Sequence, residues 1–378
     1  MNVGIIGGGL MGREAACAFA RWIAVEEVGL EAAKLIAVAD VHEPTLNWFK
    51  RVDTVTQLTT NYEEILTNPE VDAVYVALPH ALHESVYGAV IDSGKDLLGE
   101  KPFGIDLASC ERLVTKIEAS NYFVRCSSEF PFYPVAHAAF NYLAQNNIGI
   151  PIEGKSFFWH SSDVNPNKTI NWKRQVKTCG EIGVMGDLGM HVCHLPFRLS
   201  ITPIKVYAQL QKIFAERPDQ DGAMVPCDTW DNARLITECV VNNSNFESHN
   251  SFPFLFETKR IAPSETNTWG FELIGTKGGV RITTKYPKTF MTLEVFGNDQ
   301  VWRQIDLGSE SEFQTITGAI FETGFSDALL QMWVAFTLER SGKLGSRFGC
   351  ATPEEALMSH RLFDAALQSH KTGRAIDL

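Results

Sequence analysis

Gly7, Gly9 and Gly12 are spaced as G-x-G-x-x-G between the apolar run Asn2 to Ile6 and an amphipathic stretch. Where a strand turns into a helix, the first glycine of such a loop allows the tight turn and the second lets backbone approach a pyrophosphate. The third lets helix and strand pack closely. The helix N-terminus adds free N–H groups and the positive end of its dipole. Gly7, Gly9, Leu10, Met11 and Gly12 are therefore expected to bind a dinucleotide. Asp40 closes the next apolar run, further along than the usual ~20 residues, where an acid would accept hydrogen bonds from ribose hydroxyls. A ribose 2′-phosphate would meet like charge there, and Val41 and His42 supply no arginine, which favours NAD over NADP. The alternative reading of Asp40 is a turn or helix cap.

A second group lies further on. Glu100, Lys101 and Pro102 follow the apolar run Asp96 to Gly99, which places a lysine at a strand's carboxyl end, where open α/β sheets bind ligands. Asp187, His191 and His194 fall at spacings of four and three, so a helix would set all three on one face. With Cys193 they also raise a metal reading, but no second cluster with zinc-like spacing supports it, and no metal is expected. Arg198 on the same stretch reads either as a ligand for an anionic substrate group or as a helix-end cation. Trp159, in Phe157-Phe158-Trp159, reads either as packing or as a stacking surface for a sugar.

Composition narrows the partners. The chain has 378 residues, 45% hydrophobic and 21% charged, enough for about two domains with separate cores. A net charge of -12 opposes nucleic acid and anionic membranes, so a small molecule is the expected partner. Lys173, Arg174 and Lys177 read as a solvated loop. No apolar window approaches the ~20 residues of a membrane span, and the first residues carry no secretory pattern. Eight scattered cysteines without a CxxC pair fit reduced thiols. A cytoplasmic location is expected.

The elements that must position these residues fall into two textures. Residues 1–125 alternate short apolar runs with amphipathic stretches, as in strand–helix repeats on a parallel sheet. Strands are expected at Asn2 to Ile6, Lys34 to Ala39, Val71 to Leu78 and Asp96 to Gly99, with Asp106 capping a helix that runs to about Ser120. Residues 126–378 carry aromatic and β-branched alternation at 156–159, 206–213, 233–241, 271–274, 280–284, 290–296 and 301–305. These predict a large antiparallel sheet, with a hairpin around Gly275 to Gly279 and loops near 215–231 and 260–268. The fold class is thus α/β: a Rossmann domain followed by an α/β domain with a large, mostly antiparallel sheet.

Four blocks, in order, resemble the glucose-fructose oxidoreductase and inositol dehydrogenase family, Gfo/Idh/MocA. They are the Gly7–Gly12 loop; Ala77-Leu78-Pro79-His80 with His83; Glu100-Lys101-Pro102; and Gly186-Asp187-x-Gly189-x-His191. The stretch from Thr352 to Gly373 is similar to the family's closing helix. The resemblance implies NAD as cofactor, with Pro79, His80, His83, Glu100 and Lys101 on the nicotinamide side. It also implies a sugar, sugar derivative or cyclitol as substrate, a homo-oligomer (dimer or tetramer) using the large sheet, and Lys101, Asp187 and His191 as catalytic residues. The chemistry is consistent: a histidine starts near pKa ~6.5, suited to a general base, and a lysine stabilises charge developing on the reacting oxygen. Asp187 would orient the histidine or bind a substrate hydroxyl. The chain departs from the family pattern at His194 for the usual Asp, at Pro131 for the usual Arg and at His80 for the usual Asn. His194 is therefore a candidate substrate contact, and the pocket need not accept common family ligands. Two rival functions remain: a redox-assisted glycoside hydrolase using NAD, and a cofactor-binding regulator without turnover.

Overall fold

A computed structural model describes residues 1–378 apart from Val28, Asn146, 242–250, 309–310 and 317–322. The chain forms two compact units, 1–132 with 309–357, and 133–308 with 358–378.

The first unit is built on six parallel strands: β1 (Asn2–Ile6), β2 (Lys34–Ala39), β3 (Gln57–Thr59), β4 (Ala73–Val76), β5 (Asp96–Gly99) and β6 (Val124–Cys126). Their order is β3-β2-β1-β4-β5-β6, which reverses direction between β1 and β4, the place where such sheets leave a crevice at the strands' carboxyl ends. Val3, Ile5, Leu35, Val38, Val74, Tyr75, Leu97 and Leu98 are buried, as expected for strands covered on both faces. Between them run α1 (Leu10–Ala20), α2 (Glu43–Phe49), α3 (Glu63–Leu66), α4 (His83–Asp92) and α5 (Leu107–Glu118). Asp106 caps α5 in a reciprocal capping box with Ser109. The expected strand Val71 to Leu78 is trimmed to β4, because the chain must leave the sheet before Pro79, which has no N–H for a ladder.

The second unit opens with α6 (Pro134–Ala144) and β7 (Pro151–His160), followed by α7 (Val176–Cys179), α8 (Val184–Arg198) and β8 (Ile201–Gln211). A small two-stranded ribbon, β9 (Glu216–Pro218) and β10 (Met224–Pro226), occupies part of the stretch read as loop. Then come β11 (Asn232–Val241), β12 (Phe252–Lys259), β13 (Asn267–Gly275), β14 (Gly278–Thr283), β15 (Thr289–Phe296) and β16 (Asp299–Asp306). The chain continues with α9 (Phe325–Arg340), which belongs to the first unit, and α10 (Pro353–Thr372), which enters the second. It closes with β17 (Ile376–Asp377).

Among the described residues the second unit's main sheet has nine strands, β16-β15-β14-β13-β7-β12-β11-β8-β17. All its pairings are antiparallel except β12 with β7. Several elements escaped the sequence reading, among them β12 inside this sheet and α9, where Trp333 packs on Phe19 and Tyr75. Every residue from Ala328 to Leu338 of α9 is buried, so the helix lacks the polar face that marks a surface helix.

Candidate active site

The glycine loop has the geometry its spacing demands. Gly7 sits at φ +102°, and a Cβ there would come within 2.2 Å of the Ala77 carbonyl oxygen, so only glycine fits. A Cβ on Gly12 would lie 2.1 Å from the Gly7 carbonyl oxygen, which fixes the close approach of α1 to β1. Gly9 and Leu10 are exposed and Met11 half-buried. No side chain caps the N-terminus of α1 and no acid sits in its first turn, which leaves that end open to an anion.

Asp40 closes the loop from the neighbouring strand. Its Oδ2 accepts the Gly8 backbone N–H at 2.8 Å and its Oδ1 accepts that of His42 at 2.8 Å. The carboxylate is thus anchored beside the glycine turn, half-buried, with acceptor capacity remaining on each oxygen. Loop, uncapped helix end and strand-end acid together fit a dinucleotide.

The Pro79 and Lys101 segments leave β4 and β5 next to each other. His80 and Glu100 are buried, whereas Pro79 and Lys101 are partly accessible. Tyr75 donates to Glu100 Oε1 at 2.6 Å and Tyr87 to the Glu100 carbonyl at 2.5 Å. Burial, reinforced by the Glu100 carboxylate, pushes the Tyr75 phenol well above its ordinary value. His83 does not fit the cofactor-contacting role expected of it. It is 0% exposed, with Nδ1 2.7 Å from the Pro102 carbonyl oxygen and Nε2 2.9 Å from that of Leu78. Backbone takes up both polar edges of the ring, and none is left for a ligand.

In the second unit α8 carries Asp187 in its first turn and His191 one turn later. Asp187 Oδ1 accepts from Lys173 Nζ at 2.8 Å, and its Oδ2 lies 3.0 Å from both Nε and Nη2 of Arg260. Arg260 also donates to the Lys173 carbonyl at 2.9 Å, so one buried guanidinium fixes both the acid and the backbone of its other partner. Burial opposes the charge on Arg260, but the Asp187 carboxylate and the Cys179 sulfur together outweigh it and the guanidinium's pKa is raised. The His191 ring meets Phe158 edge-on, centroids 5.4 Å apart, and its carbonyl accepts from the Trp269 indole at 2.8 Å.

Three expectations change here. Trp159 follows Phe158 on β7, so its side chain leaves the opposite face of the sheet from the one against His191. There it stacks on Phe157 at 4.1 Å, donates to Glu257 at 2.7 Å and lies under Lys155 and Lys259. It is no neighbour of His191. The Lys173–Lys177 stretch is not a solvated loop, since Arg174 is 1% exposed and ion-paired with Asp163 and Asp231. His194 is 0% exposed inside the helix packing, while Arg198 is half-buried in the last turn of α8, as a helix-end cation would be. Sequence reasoning missed Lys173 and Arg260 as partners of Asp187; Arg260 stands 73 residues away, and no spacing rule links them. No group of three or more metal-ligating side chains occurs among the described residues. No helix of the described residues is long and apolar enough to cross a membrane.

Comparison with known proteins extends the picture. Residues 1–127 match the profile of the oxidoreductase family with an NAD-binding Rossmann fold, Gfo/Idh/MocA. Levoglucosan dehydrogenase of Pseudarthrobacter phenanthrenivorans is 25% identical over 315 residues, 80% of this chain and 78% of that protein. Trans-1,2-dihydrobenzene-1,2-diol dehydrogenase of Mus musculus is 30% identical over 89 residues, 24% of this chain and 27% of its own. Among solved structures, a levoglucosan dehydrogenase with NADH and levoglucosan superposes with a TM-score of 0.87 at 20% identity, covering 100% of this chain and 99% of that one. An NAD-binding oxidoreductase from Klebsiella pneumoniae gives 0.85 at 20% identity, covering 100% and 98%. At 20% identity the structural likenesses show the fold: an α/β chain with a parallel Rossmann sheet and a large, mostly antiparallel sheet.

Proposed function

We propose that this chain, whose residues 1–127 match the NAD-binding Rossmann fold of the Gfo/Idh/MocA oxidoreductases, oxidises a secondary hydroxyl on a sugar, sugar derivative or cyclitol. The observation that carries the reading is the ordered acid–histidine pair of α8: Asp187 is charge-clamped by Lys173 and Arg260, and His191 stands one turn away. Bound NAD would supply the hydride acceptor. His191 takes the hydroxyl proton as general base, and Lys101 donates to the reacting oxygen and stabilises its developing charge. Asp187, paired with Lys173 and Arg260, accepts from a substrate hydroxyl and orients the ring. The resemblance to a levoglucosan dehydrogenase supports an anhydrosugar or a related pyranose among the first compounds to try.

Replacing His191 or Lys101 by alanine tests the reading. Each is expected to lower turnover by about 10²- to 10⁴-fold, the usual cost of losing a general acid or base, with NAD affinity retained. Near-normal turnover in either variant removes that residue from the mechanism.

A further inference from the structure

His83 and Tyr87 are neighbours at i and i+4 on α4, their rings stacked with centroids 4.8 Å apart and planes 18° from parallel. The Tyr87 hydroxyl donates to the carbonyl of Glu100 at 2.5 Å, and His83 Nδ1 lies 2.7 Å from the carbonyl of Pro102. These are the carbonyls of the residues on either side of Lys101. The other ring nitrogen of His83 meets the Leu78 carbonyl at 2.9 Å, in the segment that leads into Pro79 and His80.

We propose that His83 and Tyr87 form a clamp on the backbone flanking Lys101 and act as positioning residues for it. The assignment rests on the reading of Lys101 as a group that acts on the reacting oxygen. Both rings are fully buried, so the stack has little freedom, and a lysine whose two flanking carbonyls are fixed swings only about its own side-chain bonds. The clamp is asymmetric. A neutral imidazole has a single N–H, so it satisfies one of its two carbonyls, and the bond to Pro102 is the one that bears on Lys101. Displacing a catalytic group by about 1 Å costs on the order of 10²-fold in rate, which sets the size of effect expected when the clamp is cut.

Two near-isosteres separate the halves of the contact. Asparagine places its amide nitrogen where Nδ1 stands and can keep the Pro102 bond; glutamine reaches the Nε2 position and can keep only the Leu78 bond. His83→Asn is therefore expected to retain most of kcat. His83→Gln should lose about ten- to a hundredfold in kcat, with KM for the sugar and NADH affinity by fluorescence titration unchanged. Tyr87→Phe, which keeps the stack and removes only the hydroxyl, is the milder cut and carries the test if His83→Gln does not fold. In a Lys101→Ala background both substitutions should cost nothing further. Equal losses in the Asn and Gln variants, or a fall in NADH affinity with kcat intact, would overturn the clamp. Crystal structures of His83→Gln and Tyr87→Phe decide it independently of activity: a shifted Lys101 backbone supports the clamp and an unmoved one rejects it. A failure of Lys101→Ala to slow turnover would instead count against the proposed function.

Discussion

Arg260 holds Asp187 with two nitrogens of one guanidinium, Nε and Nη2, each 3.0 Å from Oδ2, and both side chains are almost fully buried. Removing one partner of such a pair strands the other charge in a low-dielectric site, at a cost of about 3–5 kcal/mol. Asp187→Asn should therefore lower unfolding stability as well as turnover. In Asp187→Asn/Arg260→Met, where neither charge remains, most of the stability should return while turnover stays low. Urea unfolding of the two single variants and the double variant measures this. Additive losses in the double variant would show that the pair is not coupled.

Asp40 is proposed to set cofactor choice through charge. Its carboxylate is anchored by the Gly8 and His42 amides at 2.8 Å each, so it cannot swing away from a 2′-phosphate without breaking both. NAD(H) should bind more tightly than NADP(H), and Asp40→Ser should narrow the difference by weakening the first and relieving repulsion with the second. Fluorescence titration of both cofactors checks it; tighter binding of NADP by the unmodified protein would contradict the assignment.

The sequence reading reached furthest where local rules decide. β2 and β5 begin and end at the residues their apolar runs mark, and Asp106 caps α5 as its type and position imply. It fell short where tertiary structure decides. Alternation along Phe157-Phe158-Trp159 shows that neighbours point oppositely, but only the docking of α8 reveals that Phe158 takes the His191 side. Arg174 reads as solvated because its acidic partners are remote; Asp231 lies 57 residues on, and a run of cations is ordinarily a surface feature. In β12 Phe252, Phe254 and Phe256 alternate into the core, but Pro253 between them has no N–H for a ladder and Leu255 is apolar, so the segment lacks the apolar–polar contrast of a half-buried strand. The return of residues 309–357 to the first unit leaves no local trace, since α9 is buried around its whole circumference.

Glu257, on the sheet face away from His191, should govern part of the acid response. Burial would raise its pKa, but hydrogen bonding from Arg234 and the charge and hydrogen bond of Lys259 outweigh that, and the carboxyl sits below its ordinary value. The folded state therefore binds this proton more weakly than the unfolded chain. The resulting stability is complete above the ordinary carboxylate range and is lost as pH falls through the lowered value. Glu257→Gln should flatten this acid limb and leave the neutral-pH activity of the α8 site intact. Unfolding midpoints followed from about pH 6 to pH 3 measure it; an unchanged acid limb would show that Glu257 does not contribute.

The central claim is net oxidation of a sugar-like hydroxyl, and its most direct test follows NADH and leaving-group release in one experiment. The protein is incubated with stoichiometric NAD and, separately, with free pyranoses, anhydrosugars, cyclitols and aryl glycosides, while NADH absorbance and aglycone are recorded together. NADH should accumulate in step with consumption of at least one free or anhydro sugar, and should fail to accumulate in the His191→Ala and Lys101→Ala variants. Sustained aglycone release with catalytic NAD and no accumulated NADH would contradict it and identify a redox-assisted hydrolase instead.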